Sequence, residues 1–284
     1  MYVLKKYHLI YLNPLAICLF CGFAKTYLVI MMNLAERHQL ILSRLQRDQY
    51  INVVDLCKEL KVSSVTIRKD LKLLEDKSLL FRTHGGATMN NPYTVDRPVN
   101  EKEKIQSSEK NKIGAAAAEL LNDNDSIVIA SGTTVLYFAK NIQPAINLTV
   151  VTSALNVALE LMRESTIEVI QLGGLLRKSS SSVMGSYAEQ VLQDFYFNKL
   201  FLGVDGIDLD FGLTTTNAME AQLNRKMINA AQKTIVLADS TKFGKRGFGK
   251  ICGLEEIDHI ITDKGISEQI VKHLEGLGVT VTIV

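Results

Sequence analysis

The chain has 284 residues, 47% of them hydrophobic, 22% charged and 7% aromatic, a balance that excludes disordered, collagen-like and disulfide-knot proteins and suits about two domains. Its 32 Lys and Arg face 30 Asp and Glu, for a formal charge of +2, so no net field draws the whole molecule onto nucleic acid. The charge is unevenly placed: residues 33–88 carry ten cations and seven acids, and residues 1–32 carry three lysines and no acid, so positive charge gathers ahead of an acidic body.

Residues 1–32 contain an uncharged stretch, YHLIYLNPLAICLFCGFA, and a second apolar run, TYLVIMM. His8, Asn13, Pro14 and Lys25 interrupt it, which makes a poor membrane span. Two readings stay open: a signal peptide or anchor, which would make the chain a membrane-tethered sensor, or an upstream extension of a protein that starts at Met31 or Met32. Cys18 and Cys21 form a CxxC without a second ligand pair, so no metal is expected there. The four cysteines are too sparse for a disulfide framework and point to a reducing compartment, hence the cytoplasm.

Helical periodicity begins at LAERHQLILSRLQR, with Leu34, Ile41, Leu42 and Leu45 on one stripe opposite Glu36, Arg37, Arg44 and Arg47. Tyr50, Ile51 and Asn52 break it. A second helix fits VVDLCKEL, capped by Asn52, with Val53, Leu56, Cys57 and Leu60 turned inward. Lys61 and Val62 separate it from SVTIRKDLKLLED, which Ser63 or Ser64 can cap and whose Ile67, Leu71 and Leu74 share a face. Ser63, Ser64, Thr66, Arg68, Lys69 and Lys72 are left outside that stripe. Two short helices joined by a tight turn, the second with small polar residues first and cations after, suit major-groove reading. Its first turn approaches base edges, while Arg68, Lys69 and Lys72 meet phosphates or guanine. Charge alone favours an ordinary amphipathic helix with a solvated basic face. Leu79 to Thr83 reads as a strand and Gly85-Gly86 as the turn after it.

The run VSSVTIRKDLKLLEDKSLLFRTHGGA closely resembles the N-terminal module of the DeoR family of bacterial transcriptional regulators, with its V-S-x-x-T-I-R-[RK]-D-L-x-x-L-E signature followed by R-x-H-G-G-A. The signature stands here as Val62, Ser63, Thr66, Ile67, Arg68, Lys69, Asp70, Leu71, Leu74 and Glu75, then Arg82, His84, Gly85, Gly86 and Ala87. Ser78 departs from the family's usual glycine and alters the exit turn. The resemblance implies a winged helix-turn-helix over residues 33–88, with SLLFRTHGGA as the wing and Arg82 among the DNA-binding residues.

Residues 89–108 have two prolines and no sustained apolar period, and read as a linker. Beyond it, over residues 109–284, strand-like runs alternate with helical ones: 126–130, 148–152, 167–172, 199–204, 234–238, 259–262 and 279–284. Several are continuously apolar, as strands covered on both faces are, and the rhythm argues for a Rossmann-like parallel sheet. Ligands of such sheets sit beyond the carboxyl ends of the strands. Those ends carry Ser131, Gly132, Thr133 and Thr134, then Thr152 and Ser153, Gly173 and Gly174, and Asp205 and Gly206. Small hydroxyl residues and glycines at helix starts expose backbone N–H groups to an anion. Each alone serves turns and caps equally well; their recurrence favours a ligand site. No Walker-A or G-x-G-x-x-G motif occurs, so no nucleotide cofactor is expected. GKRGFG (244–249) reads as a mobile surface loop. LRKSSSSV offers Arg177 and Ser179 to Ser182 either as a basic lip over the pocket or as a solvated loop.

The same resemblance extends across this region through SGTT, VVTSALNVA, QLGG, MGSYAEQ, FLGVDGI, Glu220-Ala221 and ADSTKFG. It implies an effector domain of the superfamily shared with sugar-phosphate isomerases and CoA transferases, with a phosphorylated sugar as ligand. Ser131, Gly132, Thr133 and Thr134 would hold phosphate, and Thr152, Ser153, Gly173, Gly174, Asp205, Glu220 and Lys242 would line the site. Relatives often carry Asp or Asn where Ser131 and Ser153 stand, which leaves the sugar open. The function implied is a repressor of a carbohydrate operon that binds double-stranded operator DNA as a homo-oligomer. An enzymatic alternative uses Asp205, Glu220 and Lys242 for proton transfer in a sugar-phosphate isomerase; an isomerase has no need of a recognition helix.

Overall fold

A computed structural model of the chain describes residues 33–77, 79–83, 85–89, 98–143 and 146–284. The expectations for residues 1–32, Ser78 and His84 lie outside the described residues. The chain divides into two compact units, Met1–Pro92 and Tyr93–Val284.

In the first unit, α1 (Leu34–Asp48) opens with a reciprocal cap, in which Asn33 Oδ1 accepts from Glu36 N at 2.9 Å and the Glu36 carboxylate accepts from Asn33 N at 3.1 Å. Its buried residues are His38, Ile41 and Leu45, while Leu34 is 48% exposed. The stripe expected from the sequence is therefore wrong at its first position: the inward face starts a turn later, where His38 Nε2 lies 3.4 Å from Asp70. The Tyr50–Asn52 break is itself a strand, β1. It leads into α2 (Val53–Leu60), which Asn52 caps by accepting from Val54 N at 2.8 Å. Ser63 Oγ accepts from Thr66 N at 3.1 Å and starts α3 (Ser64–Asp76). Two wing strands follow, β2 (Phe81–Thr83) and β3 (Gly86–Thr88), and the sheet order is β1-β3-β2. A Cβ on Gly86 would sit 1.8 Å from the Ile51 carbonyl oxygen, so only glycine lets β3 lie against β1. Ile41, Leu45, Leu56, Ile67, Leu71 and Leu74 join the three helices in one buried cluster. Truncating any of them to alanine would cost about 2–5 kcal/mol.

The second unit begins with α4 (Val99–Glu103) and α5 (Ser107–Ala118). Residues 90–97 of the expected linker lie outside the described residues, and its second half carries helices: Val99 is 8% exposed and its amide donates to Ser179 O at 2.6 Å, so burial orders a segment whose sequence shows no period. The seven strands expected from the sequence are present as β4 (Asp125–Ile129), β5 (Leu148–Thr152), β6 (Ile167–Gln171), β9 (Phe197–Gly203), β12 (Ala231–Leu237), β14 (His259–Thr262) and β15 (Thr280–Ile283). They form one parallel sheet in the order β15-β14-β12-β9-β4-β5-β6. Ile127, Val128, Ile129 and Ala130 are all fully buried, because separate apolar clusters cover the two faces. On one face α6 (Thr133–Lys140) packs by stacking Phe138 on Phe201 of β9, ring centroids 4.1 Å apart.

Outside that rhythm stand a hairpin of β7 (Leu175–Arg177) and β8 (Ser182–Met184), and a small sheet ordered β10 (Gly206–Asp208), β11 (Gly212–Thr215), β13 (Gly249–Cys252). The sequence had put a mobile loop at 244–249. Instead Gly247 N donates to Thr214 Oγ1 at 2.8 Å and Arg246 pairs with Asp208 at 2.9 Å. A Cβ on Gly247 would meet Thr215 O at 2.7 Å, so this glycine permits close packing on β11.

Candidate functional site

The face of α3 that turns away from the core carries the candidate DNA contacts. Ile67, Leu71 and Leu74 are buried, which leaves Ser63, Ser64, Arg68, Lys69 and Lys72 exposed and Thr66 half-buried. No hydrogen bond or ion pair holds the side chains of Arg68, Lys69 or Lys72 among the described residues. They are left free for an outside anion. Arg82 differs: its amide donates to Glu75 Oε1 at 2.9 Å and its guanidinium lies 3.8 Å from Glu75 Oε2. Asp70, inside the same signature, is 2% exposed and accepts from Arg37 Nε at 2.5 Å and Nη2 at 2.9 Å. That bidentate pair fixes α3 on α1; its place in the signature is structural.

In the second unit the strand order reverses between β4 and β9, because β5 and β6 extend from β4 to one edge and β12, β14 and β15 extend from β9 to the other. At such a switch point two neighbouring connections diverge and leave a crevice beyond the carboxyl ends of the strands. A pocket lies there. Its lining includes Ser131, Gly132, Thr133 and Thr134 after β4, Gly203 at the end of β9 with Val204 and Asp205 after it, Thr215 of β11, and Glu220 near the start of α9 (Ala218–Asn229). Lys242, Val99, Lys102, Arg177, Ser179 and Ser180 complete it.

Gly132 holds φ +136° at the start of α6, and no side chain caps this helix. The first backbone N–H groups of α6 have no intrahelical acceptor and point toward the crevice with the positive end of the helix dipole. The two carboxylates of the pocket are already partnered. Asp205 accepts from Lys102 Nζ at 2.9 Å and from Thr215 Oγ1 at 3.0 Å. Burial pushes its carboxyl up, but Lys102, Lys242 and the Thr215 hydroxyl outweigh burial and hold it down at about 2. Glu220 pairs with Arg177 and accepts from Ser131 Oγ at 2.8 Å. The Lys242 side chain makes no hydrogen bond or ion pair among the described residues, although its charge acts on Asp205. Three cations therefore face two carboxylates, and the surplus charge stands beside the uncapped helix start.

Of the residues read from the sequence as effector-binding, Ser131, Gly132, Thr133, Thr134, Asp205, Glu220 and Lys242 meet in this pocket. Thr152, Ser153, Gly173 and Gly174 do not line it. Thr152 Oγ1 donates to Ile129 O at 2.8 Å and accepts from Ala154 N at 3.1 Å, so its hydroxyl ties β5 to β4. Ser153 is 2% exposed, and its carbonyl accepts from Val183 N at 2.8 Å. Gly174, at φ +148°, lies so close to Met184 that a Cβ would meet the Met184 oxygen at 2.7 Å, which makes it the bend that leads into β7. The sequence reading missed Val99, Lys102 and Thr215 as lining residues, and Arg177 and Ser179 gave only an ambiguous signal as a hydroxyl-rich run. Among the described residues no three His, Cys, Asp or Glu side chains gather as a metal site. No helix among them is long and apolar enough to cross a membrane.

Comparison with known proteins places both units. Residues 37–93 match the DeoR-like helix-turn-helix domain and residues 105–264 the DeoR C terminal sensor domain. The chain is similar to a putative aga operon transcriptional repressor of Escherichia coli O157:H7, with 37% identity over 252 residues, 88% of this chain and 94% of that one. It is also similar to the HTH-type transcriptional repressor GlcR of Bacillus subtilis, with 36% identity over 229 residues, 81% of this chain and 88% of that one. Among solved structures, ribose 5-phosphate isomerase A of Methanocaldococcus jannaschii aligns at 15% identity over 48% of this chain and 54% of that one, with a TM-score of 0.37, too faint a likeness to bear on function. With a helix-turn-helix match, a sensor-domain match over more than half its length and relatives aligned nearly end to end, this chain belongs to the DeoR family of transcriptional regulators.

Proposed function

We propose that the protein is a repressor of a carbohydrate-utilisation operon, and that a phosphorylated sugar in the switch-point pocket controls its grip on operator DNA. What carries this reading is the division of labour in the pocket. The uncapped start of α6 and the Lys242 ammonium offer an anion site, while Asp205, held ionised, and Glu220, paired with Arg177, accept hydrogen bonds from hydroxyls. A ligand that is anionic at one end and hydroxylated at the other satisfies both. That several relatives are named as repressors, one of them of an operon, supports the sign of the regulation. Major-groove reading by Ser63, Ser64, Thr66, Arg68, Lys69 and Lys72 requires two recognition helices spaced by a DNA turn, so the working form is a homo-oligomer. Control requires only that the ligand prefer one of two conformations.

The test is a thermal-shift screen of the full chain against pentose, hexose and hexosamine phosphates, each beside its unphosphorylated sugar, followed by gel shifts on the neighbouring promoter. A binding phosphosugar at a hundredfold excess over Kd stabilises by about 2.7 kcal/mol and changes the DNA shift; its unphosphorylated partner does neither. Equal stabilisation by the free sugars would remove the anion site from the argument. Turnover of the phosphosugar would establish the enzymatic alternative instead.

A further inference from the structure

One wall of the pocket does not belong to the parallel sheet. It comes from α4, the five-residue helix Val99–Glu103, which supplies Val99 and Lys102 to the lining. So short a helix has little stability of its own, and besides the Glu103–Lys140 ion pair at 2.9 Å three contacts hold it. The Val99 amide donates to Ser179 O at 2.6 Å, and Lys102 Nζ donates to Asp205 Oδ1 at 2.9 Å. The third comes from below, where Lys110 of α5, only 3% exposed, donates Nζ to the carbonyl oxygens of Lys102 at 2.6 Å and Ile105 at 2.5 Å. Burying an ammonium is costly unless its donors are matched. Among the described residues no carboxylate hydrogen-bonds Lys110; it donates to two main-chain carbonyls at and just beyond the C-terminal end of α4, where the helix dipole is negative.

We propose that Lys102 is a ligand-binding residue of the pocket and that Lys110 is its positioning residue, the buried ammonium pinning the end of α4 so that the Lys102 ammonium stands over Asp205. The inference rests on the phosphosugar reading and adds two residues to it. Lys102 meets the anionic group of the ligand without leaving Asp205, because a lysine ammonium has three donors and only one is engaged by the carboxylate. Lys110 touches no pocket space and acts only through α4. The groups that face it are Lys102 and Glu103 on α4, and Asp239 and Lys242 beside the short helix Ser240–Lys242. Burial, and after it Lys242, lower its pKa to about 8, with Asp239 opposing. The pinning charge is therefore present at neutral pH and fades as the medium turns alkaline.

The experiment is calorimetric titration of the full-length protein with glucose 6-phosphate, glucosamine 6-phosphate, ribose 5-phosphate and inorganic phosphate, on wild type, Lys102→Met, Lys102→Gln and Lys110→Met, from pH 7 to pH 9. Lys102→Met and Lys102→Gln are each expected to weaken the tightest of these probes at least tenfold at pH 7, and Lys110→Met about threefold. Wild-type affinity is expected to fall as pH rises through about 8, while Lys110→Met gives a flat profile over the same range. A merely structural lysine would lower the melting temperature without altering the shape of that profile. If no probe binds wild type, the phosphosugar reading itself fails. If a probe binds wild type and both Lys102 variants equally, only the present inference is overturned, and identical pH profiles for wild type and Lys110→Met overturn the role of Lys110.

Discussion

The recognition face of α3 and the switch-point pocket both use lysine and arginine, but in opposite ways. On α3 the cations are exposed and unpartnered. In the pocket Lys102 and Arg177 are already bonded to Asp205 and Glu220, and Lys242 alone is left over. The contrast follows from the size and charge of what each region meets. A duplex presents a long row of phosphates, and cations held by their own carboxylates would have to be released before meeting it. A small ligand in a half-buried crevice brings one anion, so a single surplus cation suffices, and the remaining charges must be matched or they would cost several kcal/mol each.

That contrast can be broken most severely at Asp70, which belongs to the recognition helix yet behaves like a pocket residue. Asp70→Ala would strand the Arg37 guanidinium and is expected to destabilise the first unit by about 3 kcal/mol, read as a shift of its transition in urea unfolding of the full chain. A change below about 1 kcal/mol would mean that Arg37 simply turns into solvent. Next, Arg68→Ala is expected to weaken operator binding by about 1–3 kcal/mol, whereas Arg82→Ala, whose guanidinium lies near Glu75, costs less than about 1 kcal/mol. Fluorescence anisotropy at one fixed salt concentration separates the two; equal losses would erase the distinction between free and committed cations. A somewhat smaller effect is expected at Lys242: its replacement by alanine weakens phosphosugar binding about tenfold, or 1.4 kcal/mol, measured by calorimetry. The last concerns pH, read over a range in which no change is expected. With its carboxyl held at about 2 against about 3.9 in an unfolded chain, Asp205 contributes stability that is fully present above pH 4 and lost as pH falls through 2. The melting temperature of wild type relative to Asp205→Asn should thus stay constant from pH 5 to 8 and converge only in strong acid. A step near neutrality would show that Asp205 is not held ionised.

Much of the second unit could be read directly from its residues. Several strands of the main sheet announce themselves because strands covered on both faces are continuously apolar, as Ile127 to Ala130 are. Short elements were harder. The β7–β8 hairpin exposes Leu175 and Leu176, so no burial pattern marks it, and β1 hides as an apparent break because three residues are too few to show alternation. In the first unit the caps at Asn52 and Ser63 were legible because capping is a contact between near neighbours, while the apolar stripe gave no sign that Leu34, the first residue of α1, stays exposed.

The candidate site divides along the same line. Residues directly after a strand, such as Ser131 to Thr134 and Asp205, are visible in the chain because strand ends are where a parallel sheet opens. Thr152 stands at an equivalent strand end, yet its hydroxyl ties two strands together. Lys102 lies in a stretch without periodicity and comes to Asp205 from a separation of 103 positions. The order of residues determined the helix-turn-helix, the family and the strands, because those depend on spacing along the backbone. Which strand ends converge on one crevice, and which lysine reaches it from outside the repeat, depended on the reversal of strand order between β4 and β9, a relation that exists only once distant segments lie side by side.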